Sequence, residues 1–273
     1  MRSGNRLRPR KSLGQHFLRD QNITRKILAA FDPQPGQVVL EIGPGEGVLT
    51  RCLVGAVRVL VAVEIDPRAV TALRNELGSG LEILQQDILE LDFRLTADRL
   101  GATDGIRVIG NIPYNITTPI LFKVLDERTA VKDALLMMQR EVSRRLVAAP
   151  GTKDYGIPSV FCRIFTDTEL LFDVPPTAFF PRPAVTSSVV HLEPLGRPRC
   201  PLDDEAFFRR MVRFVFGQRR KMLRNTLAVL AGEYDAQLPQ DLAFRERPEE
   251  LTPEELVALS NTLYQRLGPG RHR

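Results

Sequence analysis

Between residues 38 and 190, short unbroken apolar runs alternate with segments of helical spacing, and this rhythm limits the fold more than any other feature. Residues 38–42 read as a first strand and 48–54 as the helix after it. Residues 58–65 carry Val59-Leu60-Val61-Ala62-Val63 without a polar break, the pattern of a strand covered on both faces. Pro67 suits the first turn of the next helix, where its missing N–H is not needed. Residues 81–84 and 106–109 follow as strands, then a helix over about 118–125, a strand over 132–138 and a helix over 139–148. Strands that alternate with helices have the long crossovers that parallel pairing requires, which predicts a doubly wound, mainly parallel α/β sheet. Residues 170–174 and 187–192 read as paired strands with no helix between them. Three prolines and a glycine in 194–201 mark a linker, and beyond it the apolar spacing is helical throughout. Thr252 is placed to cap a last helix that runs to about residue 263. The expected division is residues 1–195 for the sheet domain and 196–273 for a small all-helical domain.

Ligands of such sheets bind outside the carboxyl ends of the strands, so residues just past each strand carry the functional argument. Glu41-Ile42-Gly43-Pro44-Gly45-Glu46-Gly47 follows the first strand and opens a helix. The glycines let the backbone approach a ligand closely. Val48 stands where a dinucleotide fingerprint needs its third glycine, and Pro44 removes an N–H from any phosphate cradle. Glu64 ends the second strand about twenty positions on, where a carboxylate can accept both ribose hydroxyls. Asp66, with Pro67 behind it, is better suited to capping a helix. Asp87 ends the third strand and can accept from an adenine amino group, or serve as an ordinary turn residue. A nucleoside cofactor without a pyrophosphate fits this set better than NAD.

Asn111-Ile112-Pro113-Tyr114 closes the fourth strand. The Asn111 side-chain oxygen and the Ile112 carbonyl are two acceptors that could be aimed at an exocyclic amine. Pro113 stiffens the turn, and the Tyr114 ring can stack on a base. The same four residues would also make a plain strand-ending turn.

The net charge of +5 and pI near 9.4 lean towards a polyanionic partner, and the distribution says more than the total. From Arg2 to Arg19 every charged residue is basic, and a second cluster comprises Arg219, Arg220, Lys221 and Arg224. Clustered cations are the footprint of phosphate binding. Cys52, Cys162 and Cys200 read as reduced, packed thiols, and with His16, His191 and His272 they form no metal-ligand spacing. No apolar run approaches membrane length and no secretory leader is evident, so the cytoplasm is the expected compartment.

Taken together, these segments resemble the class I S-adenosylmethionine-dependent methyltransferases, and more narrowly the ribosomal RNA adenine dimethyltransferases of the KsgA/RsmA type. The likeness extends to Lys11-Ser12-Leu13-Gly14-Gln15-His16-Phe17-Leu18, to Phe179-Phe180-Pro181-Arg182-Pro183 with Val185 and Ser187, and to Phe216-Gly217-Gln218-Arg219-Arg220-Lys221. It implies a Rossmann-like methyltransferase sheet with S-adenosyl-L-methionine as methyl donor and no metal. His16 and Leu18 would close over the methionine end of the donor, His16 standing where that family often has Asn. Gly43 and Gly45 would pass beneath it, Glu64 would hold the ribose, Asp87 the adenine, and Asn111 the target amine. Tyr114 and Phe179 would sandwich the base, with Phe180 as the rival ring. The implied reaction is dimethylation at N6 of two adjacent adenosines near the 3' end of small-subunit 16S rRNA, by a monomer. Residues 1–19 would form a basic arm, and the 196–273 domain would grip RNA through Arg219, Arg220, Lys221 and Arg224. Two alternatives carry over: a large-subunit rRNA adenine N6-methyltransferase of the macrolide-resistance type, and a nucleic-acid-binding factor without activity on the same fold.

Overall fold

In the computed structural model, residues 7–234, 237–238 and 245–267 are described. The first six residues of the basic arm and His272 lie outside them. A two-residue strand, β1 (Phe17–Leu18), precedes helix α1 (Gln21–Phe31), whose first turn is capped by the Asp20 carboxylate. There follow β2 (Val38–Ile42), α2 (Thr50–Leu53), β3 (Val59–Glu64), α3 (Pro67–Leu77), β4 (Glu82–Gln85), α4 (Phe93–Leu100), β5 (Ile106–Asn111), α5 (Thr117–Asp126), β6 (Val131–Gln139) and α6 (Arg140–Leu146). The remaining elements are α7 (Ile157–Phe165), β7 (Thr166–Val174), β8 (Phe179–Phe180), β9 (Ser187–Pro194), α8 (Glu205–Gly217), α9 (Leu223–Gly232) and α10 (Pro253–Leu267).

Seven strands form one sheet in the order β4-β3-β2-β5-β6-β9-β7. The five from β4 to β6 are parallel, and β9 runs antiparallel to β6. The expected mainly parallel α/β sheet is therefore present, with β9 and β7, joined without an α-helix, at one edge. All five residues of β2 are buried, as a central strand requires. Strand order reverses between β2 and β5, so the ends of these two strands flank the switch point where such sheets hold ligands. The helix expected over 48–54 shortens to Thr50–Leu53, because Gly43, Gly45 and Gly47 all adopt positive φ and delay helical geometry.

The described residues pack as two units, those up to 143 with 167–196, and 144–166 with those from 197 onwards. The second unit thus takes in 144–166, which the sequence reading placed with the sheet. The cause lies in α7, where Phe161 and Phe165 lie one helical turn apart and meet the Phe208 ring of α8 at about 6.1 Å. All three rings are fully buried, and this aromatic core holds the segment to the helical unit. Asp204 caps α8, and Thr252 forms the expected capping box with Glu255 at the start of α10.

Candidate active site

A cleft opens at the carboxyl ends of β2 and β5, lined by His16, Leu18, Gly43, Glu64, Asn111 and Tyr114 among others. Its floor is the glycine loop. At Gly43, with φ of +63°, a Cβ would meet nothing within 4 Å, so the backbone is bare to a ligand. At Gly45 a Cβ would lie 2.9 Å from the Phe17 ring, so the loop and the β1 segment fit together only without a side chain there. Glu64 accepts from the amides of Gly45 at 3.1 Å and Asp66 at 2.8 Å. Burial pushes its carboxyl up, and those two amides pull it back. Asp66 caps α3 as expected and binds Arg68 and Gln15. The bond from Arg68 holds it down to about 2.

The Asn-Ile-Pro-Tyr turn is organised by the chain's own beginning. The Asn111 amide nitrogen donates to the His16 carbonyl at 2.8 Å, which leaves Oδ1 as the acceptor on the other side of the amide. The Ile112 N–H donates to the Met137 carbonyl, and the Pro113 carbonyl accepts from Ile116. Tyr114 is held by a 2.7 Å bond between its hydroxyl and Ser187, and its ring lies 5.4 Å from the His16 ring. The His16 ring is fixed through Nδ1, 2.7 Å from the Pro181 carbonyl. In the β1–β8 ladder Phe17 pairs with Phe180 and Leu18 with Phe179. His16, Leu18, Gly43, Gly45, Glu64 and Asn111 to Tyr114 are thus brought to one place.

Asp87 and Phe179 are not among the residues that line this cleft. Asp87 caps the short turn after β4 by accepting from Leu89 N–H at 2.9 Å. Phe179 is buried in the core beside Leu18 and Val189, whereas Phe180 is 47% exposed with the Arg19 guanidinium 4.2 Å from its ring centroid. Cys162 is buried, but Cys52 is exposed, contrary to the expectation of three packed thiols, because α2 turns Thr50 and Leu53 inward and leaves position 52 on its outer face.

Glu41 is a further cleft residue, one that no strand-end motif points to. It is 2% exposed, lines the cleft, and its Oε2 has no hydrogen-bond partner among the described residues. A lone acid in an otherwise apolar strand was the signal that could have found it. The Arg19–Glu46 ion pair was likewise not singled out, and Ser187 was named in the family likeness without a role.

In the helical unit, Arg220, Lys221 and Arg224 are exposed. Arg219 is differently employed. Its guanidinium is paired with Glu249 and donates to the carbonyls of Lys153 at 3.0 Å and Thr152 at 3.1 Å. It therefore bolts two turns together, with three of its five N–H donors already engaged.

Residues 6–265 match the model of the ribosomal RNA adenine dimethylase family. The chain belongs to the ribosomal RNA adenine dimethylases. Similar curated members of this dimethylase family include the ribosomal RNA small subunit methyltransferase A of Aromatoleum aromaticum, 45% identical and covering 93% of this chain and 94% of that one. The protein of the same name from Leptothrix cholodnii is 42% identical, covering 94% and 93%. Among solved structures, a dimethyladenosine transferase from Plasmodium falciparum shares the dimethylase fold with a TM-score of 0.71 at 23% identity, covering 91% and 96%. The 23S rRNA methyltransferase ErmE aligns with a TM-score of 0.64 at 25% identity, covering 89% and 98%. The dimethylase cofactor, S-adenosyl-L-methionine, is a cationic nucleoside, and the cleft suits one. It offers a bare glycine backbone, two buried carboxyls and, at Glu41, an acceptor atom without a donor among the described residues.

Proposed function

We propose that the protein dimethylates N6 of two adjacent adenosines near the 3' end of small-subunit rRNA, with S-adenosyl-L-methionine as methyl donor. The observation that carries this reading is the match of nearly the whole chain to small-subunit methyltransferases at 42–45% identity. The 23S enzyme, with 25% identity, is the more distant relation. The intact cleft argues against a factor without activity.

In this reading His16, Leu18, Gly43, Gly45, Glu64, Asp87 and Asn111 hold the cofactor, which supplies a sulfonium-activated methyl group when bound. The chain's own work is positioning and polarisation. Adenine N6 is a poor nucleophile because its lone pair is delocalised into the ring. Asn111 Oδ1 and the Ile112 carbonyl, accepting from the two N–H bonds, favour a pyramidal nitrogen whose lone pair is free to attack. No strong base is required, since the proton becomes acidic once the nitrogen is alkylated. The monomethylated amine keeps one N–H and a lone pair, so a second transfer can follow. Tyr114 stacks on one face of the base, which must be splayed from its helix to enter. The other face falls to the Phe179–Phe180 strand. Arg220, Lys221, Arg224 and the exposed Arg8 and Arg10 grip phosphates, and the enzyme works as a cytoplasmic monomer. Among the described residues no helix is long and apolar enough to cross a membrane.

The test incubates the protein and labelled cofactor with unmethylated small subunits, and separately with large ones, and digests the RNA to nucleosides. N6,N6-dimethyladenosine from small subunits alone, lost in Asn111→Ala, is the expected result. Label in large-subunit RNA would overturn the choice of substrate. Phe179→Ala and Phe180→Ala in the same assay assign the stacking ring.

A further inference from the structure

Glu41 is a cleft residue whose chemistry the mechanism leaves unused, and any role for it rests on the cofactor reading. It is the penultimate residue of β2, flanked in register by Ala62 of β3 and Ile109 of β5, neither of which can offer it a hydrogen from its side chain. Its Oε2 is buried with no partner among the described residues, at the wall of a cleft built for a cation. A carboxyl so placed holds its proton more tightly than an exposed one, because burial penalises its charged form. Its charged surroundings are mixed. The Thr50 hydroxyl and amide and the charge of Arg51, itself paired with Glu76, favour ionisation, whereas Glu64, from the end of β3, opposes it. Across the cleft stand His16 and Glu46, the latter bridged to Arg19, and beyond Glu64 lies Asp66, tied to Arg68. Burial dominates, with Glu64 adding to it, and lifts the carboxyl to about 7.

We propose that Glu41 is the buried counter-charge for the cationic cofactor and surrenders its proton to solvent as the cofactor enters. The O–H bond breaks, its electron pair stays on the carboxylate, and the buffer takes the proton, so no further reactant is involved. Cofactor binding by this enzyme is then linked to pH. At pH 6 nearly every free molecule carries the proton that binding must expel, and at pH 8 nearly none does.

Titration calorimetry of the full chain with S-adenosylmethionine, in phosphate and in Tris at matched pH, counts the protons released. The expected release is about nine-tenths of a proton at pH 6, about half at pH 7 and close to none at pH 8.5, with binding about tenfold tighter at pH 8 than at pH 6. Glu41→Gln, checked for folding by thermal melting, is expected to bind without this release and with affinity flat in pH. His16→Asn, a control at a different cleft side chain, is expected to retain the release. S-adenosylhomocysteine, which lacks the sulfonium charge, is expected to release less. Should Glu41→Gln fail to fold, the wild-type pH series and His16→Asn still decide. Binding with no proton release at pH 6 and 7 overturns the proposal, as does undiminished release in folded Glu41→Gln or equal release with both ligands. No binding at any pH would instead overturn the cofactor reading beneath it.

Discussion

Arg219→Ala separates a bolt from a phosphate contact. The guanidinium holds Glu249 and the carbonyls of Thr152 and Lys153, with 34% of the Arg219 side chain and 26% of the Glu249 side chain exposed. A buried charge-assisted hydrogen bond contributes about 1.5–3 kcal/mol. Here partial exposure lets water replace the lost partner, which brings an ion pair down to about 1 kcal/mol or less. The carbonyl bonds add a few tenths each, for a total of about 1.5 kcal/mol. Urea unfolding of the full chain should show that loss for Arg219→Ala. Arg219→Lys should not restore it, because a single ammonium cannot span three acceptors set around a planar fork. Arg220→Ala, by contrast, should unfold within about 0.5 kcal/mol of the parent. Subunit binding measured against salt supplies the second axis. Each lost phosphate contact lowers the slope of log K against log salt by about 0.7–0.9. That drop is expected for Arg220→Ala and Arg224→Ala and not for Arg219→Ala. An Arg219→Ala protein as stable as its parent, with a slope reduced by one contact, would refute the argument.

The same geometry sets three further outcomes. Glu41, with its folded value near 7 against an ordinary 4.5, loses its stabilising contribution as pH rises from about 4.5 to 7. Glu41→Gln should therefore match the ligand-free parent at pH 4 and exceed its stability by about 3 kcal/mol at pH 8, as read by denaturant titration at each pH. Gly45→Ala places a Cβ 2.9 Å from the Phe17 ring at a φ of +53°, and should cost about 1–2 kcal/mol in a melting experiment while weakening cofactor binding by calorimetry. Asp133→Ala leaves Arg107 buried without its bidentate partner near the amino ends of the strands, and should cost about 3–5 kcal/mol in urea with cofactor affinity unchanged.

What could be read from the chain alone is what local pattern encodes. The strand 59–64 announces itself by continuous apolarity from Val59 to Val63, 38–42 and 131–139 by β-rich runs broken by few charges, and the glycine loop by its composition. Glu64 and Asn111 were legible because strand ends in such a sheet must converge. What could not be read depends on partners far along the chain. Nothing in Arg219-Arg220-Lys221 says which cation is already bonded, since Glu249 lies thirty positions on. Residues 144–166 sit in sequence between sheet elements, and distant partners assign them elsewhere, among them Phe208 against Phe161 and Phe165 and the Leu251 carbonyl bonded by Tyr155. Of two adjacent phenylalanines, pairing with Leu18 turns Phe179 inward and leaves Phe180 out. Glu41 escaped because an acid inside an apolar strand reads as an exception to the pattern, although the exception was itself the information.

The bond from the Asn111 amide to residue 16 ends on a main-chain carbonyl, so it survives any side chain at that position. Selection is free to exchange His for Asn there without touching the orientation of the acceptor. A saturation scan of position 16 would consequently report only the ring's duties. The orienting role would surface only through changes that move the backbone, such as breaking the two-residue ladder between Phe17–Leu18 and Phe179–Phe180.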